Sequence, residues 1–203
     1  MTFTIDKRLL LYLIITFIVV TIIGTLSHEC GHYILARLMG FSAHISYGMT
    51  WLVNDNKIMN PKQEFWFILA GPLQTMLTGT IAFLFLCNSS RPIGRVSFGQ
   101  WILVFLSLFW LRQSANFVVW VANYLITGKF KNNGDEIKLS TYLHLPSWSI
   151  VSVTALISLI VLTIVLFRFI PKLQRLTFIL SGIIGGIAGY LFWLVYFGEI
   201  IMP

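Results

Sequence analysis

Two histidines one helical turn apart, with a glutamate beside the first, form the densest chemistry in this sequence: His28-Glu29-Cys30-Gly31-His32. On a helix, residues four apart share a face, so the two imidazoles of this H-E-x-x-H can grip one metal ion. Glu29 then stands where it can hold and deprotonate a water. Zn2+ suits such a set. Three protein ligands and one open position lower the pKa of a bound water to about 7. The setting is unusual, because Leu9 to Leu26 is almost wholly apolar, which puts the motif at or below a membrane surface. Hydrogen-bonded core histidines are the bland alternative, but three ionisable groups within five residues of a membrane helix are costly unless something uses them.

The elements that must position this motif read as membrane helices. The chain has 203 residues, of which 57% are hydrophobic and only 10% charged, with a mean hydropathy of +0.84. A soluble domain carries about a quarter charged residues, and barrel strands are short and alternating. The expectation is one all-α polytopic membrane domain over residues 1–203, multi-pass in a bacterial cell membrane. The net charge of +7 is read as Lys and Arg flanking membrane spans and meeting anionic lipid; no basic-aromatic cluster argues for nucleic acid. Cys30 and Cys87 have no disulfide or metal spacing. Lys7-Arg8 before an apolar run could open a signal peptide, but the run is long and leads directly into the motif, so it reads as a retained helix.

Five spans are expected. The first runs from Lys7 to about Met39, with Gly40 as its stop. Between Phe41 and Asn60, alternation of Ile45, Tyr47, Met49, Trp51 and Val53 predicts a membrane-associated β-hairpin turning at Asn54-Asp55-Asn56. Its edge could accept an extended peptide. The second span, about Gln63 to Cys87, contains Ala70-Gly71-Pro72, where Pro72 is expected to kink the helix and free a carbonyl. Gly71, Thr75 and Gly79 form a stripe for close helix approach. The third span, Gly99 to Thr127, places Arg112, Gln113, Asn116 and Asn123 on one face, towards other helices or a water-filled cavity. The last two run from about Trp148 to Phe169 and Leu173 to Tyr196. Gly182, Gly185, Gly186 and Gly189 on the final span could pack internally or pair two copies into a homo-oligomer.

A catalytic zinc needs a third protein ligand. The sequence offers Asp6, Asp55, Glu64, Glu199, His44, His144, Glu136 and Asp135. Asp135 follows a polar run and opens a short helix through Tyr142; taken by itself it is better explained as a cap or first-turn residue of that helix, and as a third ligand chemistry favours it over Glu136 and His144 without excluding them.

The order of these features, from about Leu9 to Leu145, resembles the site-2 protease family of intramembrane zinc metalloproteases. What the resemblance implies is that His28, His32 and Asp135 hold Zn2+ and Glu29 is the general base. Ala70-Gly71-Pro72 matches the family's central-span motif, with Gly71 and Pro72 near substrate. Asn116 or Asn123 matches the asparagine that holds the substrate backbone. The chain departs from the family where no Pro follows either Asn, and where Gly134-Asp135-Glu136 replaces Asp-Gly. The expected function is zinc-dependent peptide hydrolysis of a transmembrane protein or peptide within the lipid bilayer, by a catalytic core over about 8–145 with two additional helices over about 147–198. The rivals are a non-catalytic membrane scaffold and a metal transporter using the same His and Asp residues. Seven Lys and Arg fall on one side of the spans and six on the other, which fixes no orientation.

Overall fold

The structure, a computed structural model, describes residues 5–53, 58–90, 92 and 94–203. Five helices among these are long and apolar enough to cross a membrane: Lys7–Leu38, Pro61–Asn88, Phe98–Thr127, Ser149–Phe169 and Lys172–Ile201. The chain is an all-α, multi-pass membrane protein with one two-stranded antiparallel sheet. Leu11, Tyr12, Ile15, Val19 and Ile23 of the first span are exposed, a surface suited to lipid and not to water.

Local chemistry sets the span ends. Asp6 caps α1 (Lys7–Leu38) by accepting from the amides of Arg8 and Leu9. Gly40 takes the left-handed conformation (φ 81°) beyond its end. Asn60 and Gln63 form a reciprocal capping box with Pro61 at the first position of α2 (Pro61–Asn88). The third span is α3 (Phe98–Ser107), a single 3-10 turn at Leu108–Trp110, and α4 (Leu111–Thr127), which Gly128 closes at φ 70°. After it come α5 (Asp135–Tyr142), α6 (Ser149–Ile164), α7 (Arg175–Tyr190) and the short α8 (Gly198–Ile201). Wide π-turns over Val165–Phe169 and Leu191–Phe197 extend the last two spans.

Phe17 is at the centre of the apolar core, 5.1 Å from the Phe105 ring and 5.4 Å from that of Phe178, so three spans meet on it. α1 packs most extensively on α7, and next on α2. Gly185 and Gly189 make the first of these contacts close: a Cβ on Gly185 would lie 2.6 Å from the Ile14 carbonyl, and one on Gly189 3.1 Å from the Ile18 Cα. Within one chain, that glycine face is covered by α1.

The expected position of the hairpin turn is corrected. The hairpin pairs β1 (Ala43–Ile45) with β2 (Thr50–Leu52), and its turn is Ser46 to Met49, closed by the Ser46 amide on the Met49 carbonyl at 2.9 Å. The turn expected at Asn54-Asp55-Asn56 lies outside the described residues. Pro72 sits inside a helix that continues on both sides of it. The irregular turn at Leu108–Trp110 carries no Pro or Gly to announce it.

Candidate metal centre

α1 buries His28, Glu29 and His32 together, at 1%, 4% and 5% exposure. The two Nε2 atoms are 3.2 Å apart. Asp135, the first residue of α5, brings its Oδ2 to 3.0 Å from His28 Nε2 and 3.3 Å from that of His32. Among the described residues, these three form the one group of His, Cys, Asp and Glu side chains that could hold a metal ion. The distances test the fit. Ligand atoms about 2.05 Å from a tetrahedral ion are about 3.3 Å from one another, and the three observed separations match one face of such a tetrahedron. Burial alone would raise the Asp135 carboxyl, but its hydrogen bonds with the two imidazoles outweigh that and hold it below the usual carboxylate range.

The neighbours of the triad fix its orientation. His32 Nδ1 lies 2.6 Å from the Phe67 carbonyl on α2. A carbonyl only accepts, so Nδ1 carries the proton and Nε2 is the atom left to face an ion. The carbonyl that Pro72 cannot pair is that of Ile68, and the site uses its neighbour.

Gly71 serves the triad through its missing side chain. A Cβ there would lie 2.6 Å from His28 Nε2 and closer still to His32 Nε2. Gly31 does the same for the helix pair, since a Cβ on it would come within 2.7 Å of the Ala70 carbonyl. Gln74 Nε2 donates to Ser27 Oγ across this contact at 2.5 Å.

Glu29 is held at both oxygens. The Thr50 hydroxyl on β2 lies 3.1 Å from Oε2 and 3.0 Å from the Glu29 backbone carbonyl. Arg112 Nη2 lies 3.7 Å from Oε1. Sequence reasoning missed Thr50 entirely, and it grouped Arg112 with a polar face without assigning it a partner. The pattern "polar residue on a strand beside the motif helix" was the one available signal for Thr50.

The other candidates have other occupations. Asn116 donates its amide to both oxygens of Glu136 at 3.1 and 3.3 Å, so that amide is engaged by a side chain of this protein. Glu136 is 2% exposed; burial, and then the charge of Asp135, push its carboxyl above the ordinary range. Asn123 is beyond the site, bonded to Thr127 in the last turn of α4. Asp6 is a cap, His44 stacks on Trp51 at 4.9 Å, and Glu64 and Glu199 lie in the first turns of α2 and α8. His144 is in the turn after α5 with φ 55°, and Asp55 is outside the described residues. No protein-family model matches the chain, and neither does any curated protein or solved structure.

Proposed function

We propose that the chain is an intramembrane zinc metalloprotease of the site-2 protease kind, hydrolysing peptide bonds of transmembrane substrates. The observation that carries the reading is one constellation inside a membrane span. Two Nε2 atoms and one carboxylate oxygen converge at 3.0 to 3.3 Å, and a carboxylate next in sequence is held at both oxygens without being consumed as a ligand. A carrier or a scaffold has no use for that fourth group. Zinc fits this donor set, because imidazole nitrogen and carboxylate oxygen are its usual ligands, and it would supply Lewis acidity towards a carbonyl and a water.

The chain's own residues supply the rest. His28, His32 and Asp135 would hold the ion, with His32 fixed by the Phe67 carbonyl. Glu29 accepts the proton of the attacking water and returns it to the leaving amine nitrogen. Thr50 and Arg112 keep the Glu29 carboxylate in one position while it does so. An extended substrate stretch added as a strand to the hairpin would lie beside Glu29, because Thr50 of β2 already touches it.

The test begins with the zinc content of the detergent-purified protein, alongside His28→Ala and Asp135→Ala. About one zinc per chain is expected, lost in both variants. Glu29→Gln should retain the metal and lose cleavage of a transmembrane peptide by a factor of roughly 10² to 10⁴. A chain without zinc would be a scaffold. Cleavage that survives in Glu29→Gln would remove Glu29 from the mechanism, and bound metal with no cleavage would leave the carrier reading.

A further inference from the structure

A cavity of about 490 Å³ lies between α1, the third span and the last two helices. Its wall is largely apolar, with Phe17, Phe109, Leu162 and Ile183 among the lining residues, and with Thr25, Arg112 and Asn116 among the polar ones. Arg112 joins this space to the metal centre. The same side chain that lines the cavity brings Nη2 to 3.7 Å from Glu29. Its Nε is buried with no hydrogen-bond partner among the described residues. A guanidinium edge buried among apolar groups without an acceptor is costly, which points to an acceptor that arrives with a ligand.

The volume limits what can enter. One turn of helix, about 5.4 Å long and 10 Å wide, fills roughly 420 Å³. The cavity therefore has room for a few apolar residues and not for a whole span. The glycines of α7 divide accordingly. Gly185 and Gly189 pack on the α1 backbone, and a Cβ on Gly182 would meet the Phe17 ring at 3.2 Å. Gly186 lines the cavity, and a Cβ there would meet nothing within 4 Å.

We propose that this cavity is the subsite for apolar side chains of a transmembrane peptide on one side of the bond to be cut, with Arg112 donating to a peptide carbonyl at its inner end. The inference rests on the proteolytic reading above and names what that site selects. Continuity decides the occupant. Whatever fills the cavity meets Arg112, beside Glu29, where a peptide offers a carbonyl acceptor. A lipid tail entering end first offers only a methyl group.

The experiment uses a synthetic Lys-flanked peptide of about 20 apolar residues carrying a photoreactive leucine at its centre, in bilayers with the full-length Glu29→Gln chain. Adducts are expected on cavity residues of α7 and the third span, and they should fall at least fivefold when Gly186→Leu is added. Adducts confined to other surfaces, or to lipid alone, would overturn the assignment. Cleavage gives a second readout in the active chain. Gly186→Leu should lower the ratio of kcat/KM for a leucine-flanked peptide over an alanine-flanked one at least tenfold, the worth of one buried leucine, with Gly186→Ala intermediate. An unchanged ratio would sink the subsite while leaving the protease intact. If the unsubstituted chain cuts neither peptide, the proteolytic reading fails separately, and the adduct map still decides what the cavity holds.

Discussion

Gly71→Ala adds a single methyl group, and the structure says where it must go. The new Cβ would lie 2.6 Å from His28 Nε2 and 2.7 Å from His32 Cδ2. Ordinary contact is about 3.5 Å, so the overlap is about 0.9 Å. Two responses are open. The imidazoles can rotate away, or α2 can retreat from α1, which would stretch the Gln74–Ser27 and His32–Phe67 bonds. The first response moves ligand atoms by several times the roughly 0.2 Å that a metal site tolerates, and the second withdraws the Phe67 carbonyl that orients His32. The helix pair itself should survive, since overpacking by one methyl costs about 1 to 3 kcal/mol.

The expected result is therefore selective. Zinc affinity, measured by competition with a chromophoric chelator, should weaken by about 10- to 100-fold. Thermal unfolding in detergent should shift by only a few degrees. Gly99→Ala is the control, because a Cβ there meets nothing within 4 Å, and it should alter neither quantity. A Gly71→Ala protein that binds zinc as tightly as the parent would refute the reasoning. It would mean that α1 and α2 adjust freely, and that the absent side chain is not what makes room for the triad.

Other substitutions separate the neighbouring roles. Thr50→Val removes the hydroxyl that touches Glu29; loss of one hydrogen bond to a charged group, about 1.5 to 3 kcal/mol, should lower kcat by about tenfold or more with zinc content unchanged. Gln113 is fully buried, and neither end of its amide has a partner among the described residues, so Gln113→Leu should leave the melting temperature unchanged or raise it. Glu136→Gln tests the buried carboxyl. Its folded pKa is raised, so ionisation opposes folding, and the parent loses stability as pH rises through that value. The variant should be the more stable at neutral pH, with the difference vanishing below about pH 4, where both states of the parent are protonated. A difference that does not change with pH would mean that Glu136 ionises without cost.

What the sequence made legible is what acts over short distances. His28 and His32 share a face because of helical periodicity alone, and Gly40 and Pro61 each mark a span limit by acting on their own turn. The hairpin turn was misplaced because Asn54-Asp55-Asn56 carries stronger turn chemistry than Ser46-Tyr47-Gly48-Met49. Tertiary contacts favour the latter: the Tyr47 amide reaches the Met202 carbonyl, and the Trp193 indole donates to the Tyr47 carbonyl at 2.7 Å. Asn116 looked available for substrate because its partner, Glu136, is 20 residues on and across a loop. No local pattern announces a pairing of that kind. The same holds for Thr50, 21 residues from Glu29.

These long-range ties also bear on how the chain divides. The expected division sets the stretch over about 8–145 apart from the two last spans, and the packing ties these spans to the helix that carries the motif. α7 is the most extensive neighbour of α1, the helix that carries both histidines and Glu29. The end of the chain reaches back through Trp193 and Met202 to hold Tyr47. Tyr47 lies in the turn of the hairpin whose second strand presents Thr50 to Glu29. The position of the Glu29 carboxylate thus depends on a connection that runs from α1 through β2 to residues beyond 190. Three of the glycines on α7 face α1, and Gly186, with Gly182, lines the cavity that Arg112 also lines. The final helices thus pack against the helix that carries the motif, and their contacts reach the hairpin that presents Thr50 to Glu29.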